Sequence, residues 1–88
     1  MFKVQRSASE ERVIFLLSGR MDSESAAELE RLIRKEGKNQ KIILDIGDLT
    51  LVGQSDVDFL ARCEAGGVKL VKVAHYIREW IARKQDEK

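Results

Sequence analysis

Proline is absent from this sequence. Ordinary usage of about 5% would place about four in a chain of this length. No proline-rich linker therefore divides it, and no internal repeat appears, so residues 1–88 read as one domain. Cysteine occurs once, as Cys63, which excludes an internal disulfide and fits a reducing compartment. Histidine also occurs once, as His75. A metal centre needs three or four convergent ligands, so none is expected. No cofactor is expected either: the glycines at 47, 53, 66 and 67 form neither a G-x-x-x-x-G-K-[ST] nor a G-x-G-x-x-G loop, and read as turn residues. No apolar run approaches the roughly 20 residues of a membrane-spanning helix. The opening MFKVQRSASEER lacks the apolar core of a signal peptide, so the expected location is the cytoplasm. Charge of one sign is missing too. Sixteen basic and 15 acidic residues leave +1, which argues against nucleic-acid binding and against direct membrane binding.

What is present is ordinary globular material, 43% hydrophobic and 35% charged. A chain this short buries roughly 60–65% of its extended surface, enough for one core. Phe2 and Val4 alternate with Lys3 and Gln5, the period of a half-exposed strand over 2–6, and SASEE at 7–11 reads as a turn. RVIFLLS at 12–18 is a continuous apolar run, the signature of a buried strand that pairs back as a hairpin. Gly19 and Asp22 break that run. Asp22, Ser23 and Ser25 suit a helix start, and Ser25 with Glu28 has capping-box spacing. Ala26, Leu29, Leu32 and Ile33 form an amphipathic stripe, and Gly37 is the expected stop.

KIILDI at 41–46 reads as a second buried strand, followed by a loop over 47–54. A helix is expected over 55–65, a strand over 68–73 and a last helix from His75 to about Lys84. The closing RKQDEK, residues 83–88, is expected to fray. The order is ββαβαβα. Strands joined through a helix run parallel, so the expected fold is α/β: a four-stranded mixed sheet with three helices. The pattern leaves open whether those helices cover one face of the sheet or both.

Three pieces of this arrangement carry a family resemblance. GRMDSESAAELERLI matches a G-x-x-D motif followed by a small-residue amphipathic helix; KIILDIGDLTLVGQSDV matches a strand, LDL, loop, D-S-S-G, helix unit; GGVKLVKV matches a glycine-led return strand. Together they resemble the STAS family, the sulfate-transporter and anti-sigma-factor-antagonist domains, over residues 19–73. The resemblance implies a regulatory protein-binding module of the anti-sigma-factor-antagonist type. Its partner would be a serine-kinase anti-sigma factor or a larger signalling or transport assembly. Docking would use the loop 47–54 and the helix 55–65. The family's second loop serine, which a partner kinase phosphorylates, falls on Ser55. Gly53 stands at the motif's Asp, Gln54 at its first Ser and Asp56 at its Gly, so Ser55 alone survives. The chain looks like a minimal version of the fold, ending after the third helix.

Ser55 is accordingly the phosphoacceptor candidate. A phosphate there would meet the positive end of a helix and add about −1.5 to −2 of charge. The competing reading makes Ser55 an N-cap, with Asp58 completing an S-x-x-D pattern. Gly53, Gln54, Asp56, Asp58 and Asp22 are the expected partner-binding residues around it. Asp56 and Asp58 are also sound first-turn residues, and Asp22 a sound cap. Asp45 is expected to accept from loop N–H groups at its strand end. Cys63 and His75 are expected in buried or half-buried structural roles. Tyr76 and Trp80 head an apolar cluster that reads mostly as core and otherwise as an interface, including that of a homodimer. An enzyme needs convergent polar groups, which are missing here. The second functional reading is a passive scaffold, natural or engineered, without a working phosphoswitch. The missing proline and the eroded D-S-S-G carry it.

Overall fold

A computed structural model describes residues 2–36 and 40–86. The elements are β1 (Phe2–Ala8), β2 (Arg12–Met21), α1 (Ser23–Arg34), β3 (Lys41–Val52), α2 (Gln54–Ala65), β4 (Lys69–Val71) and α3 (His75–Asp86). The strands form one sheet in the order β1-β2-β3-β4. β1 runs antiparallel to β2, while β2, β3 and β4 are mutually parallel. The four-stranded mixed sheet with three helices is thus the expected architecture.

The alternation in β1 does what its period dictates. Phe2 and Val4 lean on the core and Lys3 and Gln5 stay exposed. The strand continues past the expected end at residue 6, because Ser7 pairs with Ile14 and Ala8 with Val13. Only residues 9–11 remain for the turn, closed by Ser9 N–H donating to the Arg12 carbonyl at 2.8 Å.

β2 and β3 both outrun their expected ends. Gly19 and the Gly47–Asp48 pair looked like breakers; all three lie inside strands. β3 spends 12 residues against 10 in β2, and the register shifts between Leu16 and Ser18 and again between Gly19 and Arg20 absorb the difference. Such bulges let a strand carry an extra residue without ending. Gly19 adopts φ 88°, a region its lack of a Cβ makes accessible. The expected loop over 47–54 is therefore strand to Val52, a single linking residue, Gly53, and the start of α2.

Alternate residues of the parallel strands point to opposite sides. Val13, Phe15, Leu17, Leu44, Ile46 and Leu70 face inward, all at most 6% exposed. From the helices they meet Ala26 and Leu29, Val57 and Leu60, and Ile77 and Ile81 in one cluster. Each large side chain buried there stabilises the fold by roughly 1.5–3 kcal/mol. Two adjacent right-handed crossovers in the same direction put α1 and α2 on one face, and α3 joins the same cluster. Among the described residues, one face of the sheet is covered and the other is open. α3 is helical through Asp86, beyond the point where fraying was expected. The expected stop at Gly37 lies outside the described residues.

Candidate functional site

Met21 and Val52 are neighbours in the parallel register. Each is the last residue of its strand, so the chain turns into α1 and α2 side by side at one end of the sheet. This is the carboxyl end of parallel strands, where helix N-termini converge and where α/β sheets usually hold ligands.

The α1 terminus follows its sequence. Asp22 is the N-cap, accepting from both the Ser25 backbone N–H and the Ser25 hydroxyl at 2.9 Å. These bonds, the backbone one foremost, hold its carboxyl below the usual aspartate range. Ser25 spends its hydroxyl on Asp22 and not on the expected Glu28 capping box.

The α2 terminus does not follow. Gly53, not Ser55, is the N-cap, and no side chain caps the helix. The Gly53 carbonyl accepts from the N–H groups of Asp56 and Val57 at 3.0 and 3.1 Å. That sets the helix start two residues earlier than the S-x-x-D pattern suggested. Gln54 and Ser55 become the first two helical residues and both are exposed.

Asp56 then falls at the third helical position with its side chain turned in, 4% exposed. Burial pushes its carboxyl above the ordinary aspartate value. The Asp22 charge adds to that, and a hydrogen bond from the Gly53 N–H opposes it. Asp58 is half-buried on the next turn.

Between the two helices lies a shallow recess of about 220 Å³, lined at the tip by Ser23, Ser55 and Asp56 and further along by Glu30, Phe59 and Arg62. A second recess, of about 290 Å³, shares Glu30, Phe59 and Arg62 and continues toward Cys63 and Val68. A groove thus runs along α1 and α2 from the paired helix tips. Of the expected partner-binding residues, Ser55 and Asp56 line its head; Gly53 and Gln54 precede them in the chain, and Asp22 precedes Ser23 on the facing tip. The groove residues Glu30, Phe59 and Arg62 carried no signal in the sequence beyond their places on amphipathic helices.

Other singled-out residues lie elsewhere. Asp45 sits within β3, not at its end, and faces the open side of the sheet. It accepts from the Gly47 N–H at 3.1 Å and pairs with Lys72 at 3.5 Å. A Cβ on Gly47 would come 3.0 Å from the Lys72 Cβ, so a larger residue there would have to displace Lys72 by a few tenths of an ångström. Cys63 is half-buried as expected, and burial raises its thiol to about 11. His75 is a correction: it is exposed, and among the described residues it pairs with Glu79 one turn on at 3.0 Å. As the first residue of α3 it precedes the stripe that Ile77 and Ile81 bury. Tyr76 is 40% exposed and packs edge-to-face on half-buried Trp80, with ring centroids 5.5 Å apart. Among the described residues, no group of three or more His, Cys, Asp or Glu is arranged to hold a metal ion, and no helix is long and apolar enough to cross a membrane.

These features define a small α/β domain of the STAS fold, with two helix tips exposed at one end of a mixed sheet. No protein-family model matches the sequence, and no curated protein matches it. Among solved structures, the anti-sigma factor antagonist SpoIIAA in its unphosphorylated form resembles it with a TM-score of 0.68. That likeness covers 97% of this chain and 81% of SpoIIAA, at 19% identity. At that identity the likeness establishes the fold.

Proposed function

We propose that this chain is a regulatory protein-binding module of the anti-sigma-factor-antagonist type, which docks a partner at the α2 tip and the adjoining α1–α2 groove and is switched by phosphorylation of Ser55. The observation that carries the reading is the exposed hydroxyl of Ser55 on the first turn of a helix that no side chain caps. The likeness to an antagonist described as unphosphorylated supports it.

The chemistry follows from the surroundings. A phosphate on Ser55 would be drawn to the free N–H groups of the α2 start. It would also stand beside the Asp56 and Asp22 carboxylates, which repel it. Phosphorylation therefore adds further negative charge to a docking tip that already carries Asp22 and Asp56, and weakens any partner that seats there by shape.

Affinity capture from the source cell, followed by mass spectrometry of the Ser55 peptide, tests the reading. The expected result is recovery of a serine kinase, phosphate at Ser55, and partner binding that survives Ser55→Ala and weakens with Ser55→Asp. An unmodified peptide with no kinase recovered removes the switch. That outcome would favour the passive-scaffold reading, which the replacement of the motif's Asp and first Ser by Gly53 and Gln54 supports.

A further inference from the structure

The open face of the sheet is built from rows of outward residues fixed by the strand register. The first row is Arg12 and Lys41; the second runs Ser7, Ile14, Ile43, Lys69; the third Gln5, Leu16, Asp45, Val71; the fourth Lys3, Ser18, Asp48. Ile14, Leu16, Ile43 and Val71 thus form a central apolar patch. None of the four belongs to the core cluster or packs against it, and Ile14 is 36% exposed.

The sequence of these strands is that of a sheet covered on both sides. VIFLL at 13–17 and IIL at 42–44 are apolar without alternation, the pattern of parallel strands buried on two faces. Among the described residues, helices cover only one. The missing layer in such architectures is a helix.

Charge selects the occupant. Lys3, Arg12, Lys41, Lys69 and Lys72 surround the patch, against Asp45 and Asp48, a net +3 on a chain whose total is +1. Lys72 is engaged with Asp45. The other four cations make no ion pair among the described residues. Glu10 and Glu11 lie in the hairpin turn, beyond the strand ends. Two copies meeting face to face would oppose their positive charges. The patch residues are only part-exposed and present no protruding wedge for a bilayer.

We infer that the open sheet face is a second docking surface, distinct from the Ser55 tip, for an amphipathic helix of a partner protein that is apolar on one side and acidic around it. Its leucine-like side chains cover Ile14, Leu16, Ile43 and Val71. Its carboxylates meet Arg12, Lys41 and Lys69. Such pairing raises the rate and specificity of encounter and weakens with salt.

The test uses the full chain with a synthetic peptide of about five helical turns carrying Leu on one face and Glu on the others. Controls are the same peptide with Lys for Glu, phosphatidylserine vesicles, and sedimentation of the protein alone. The expected result is salt-sensitive binding of the acidic peptide alone, with amide shift changes on β2, β3 and β4 and none at Gly53–Asp56. Arg12→Glu combined with Lys69→Glu, both at exposed positions, weakens it by about tenfold or more. Ile14→Gln weakens it without changing charge. The inference is overturned by any of four results: no binding of the acidic peptide, equal binding of the Lys peptide, shifts confined to the helices, or a face occupied only by vesicles or by a second copy.

Discussion

The two helices that start side by side at the end of the sheet are stabilised there in opposite ways. α1 begins at Asp22, whose exposed carboxylate takes two hydrogen bonds from Ser25 and is thereby held in its charged form. α2 begins at Gly53, which contributes no side chain, and its nearest carboxylate, Asp56, is buried and pushed toward its neutral form. One aspartate caps from outside the helix; the other sits three residues past the cap and points inward. The same side chain thus gains charge stabilisation at one tip and loses it at the next. Position relative to the cap decides which. The consequence for function is that the α1 tip is already closed by its own side chains. The α2 tip leaves the exposed Ser55 with no capping role.

The comparison is broken most severely by removing what anchors each helix. Leu29 of α1 and Leu60 of α2 are both 0% exposed. Leu29→Ala and Leu60→Ala should each lower the unfolding free energy by about 3 kcal/mol, read from urea denaturation. A similar loss at both places the difference between the helices at their tips and not in their packing. A markedly smaller loss at Leu60 would mean that α2 is held less firmly along its whole length.

Next in size, Asp22→Ala removes a cap that donors already occupy and should lower Tm by about 5 °C. No equivalent loss is expected from Ser55→Ala, because Ser55 caps nothing.

Acid titration sharpens the contrast further. The folded pKa of Asp22 lies below the ordinary 3.8, so its contribution is present above that value and is lost as pH falls through the folded pKa. The folded pKa of Asp56 lies above the same value, so its contribution is full below 3.8 and is lost as pH rises through the folded pKa. Carboxyl carbon shifts followed by NMR should show the two midpoints on opposite sides of 3.8. Asp56→Asn should abolish the high-side midpoint and remove the penalty of burying a charge at neutral pH. Midpoints that coincide would dissolve the contrast.

The smallest effect is expected from Gly53→Ser, which supplies the missing cap hydroxyl. The new Cβ would sit 3.2 Å from the Asp56 carboxylate oxygen, which must shift to make room. The gain from the cap and the disturbance of Asp56 should nearly cancel, leaving a stability change within about 0.5 kcal/mol.

Much of this was legible in the residues. The period of Phe2 and Val4, the unbroken run at 13–17, the stripe through Ala26 and Leu29 and the KIILDI run at 41–46 gave strand, strand, helix and strand, and from the helix between the last two strands the parallel pairing. Asp22 was readable as a cap because the motif is local and complete within four residues. The α2 start was misread for the converse reason. Ser55 and Asp58 satisfy a local pattern, but the place where α2 begins depends on how far β3 stays paired to β2. Two bulges carry β3 past glycine and aspartate to Val52, and neither is visible without its partner strand.

Sequence alone therefore determined the periodicities, the strand–helix alternation and the presence of a serine near the second helix start, because each depends on neighbours a few residues away. The tertiary structure decided the rest: where β3 ends, which aspartate is buried, which face of the sheet is left open and which residues share the groove. Those outcomes depend on register between distant strands and on which surfaces remain after the core has closed. No local window of the chain contains that information.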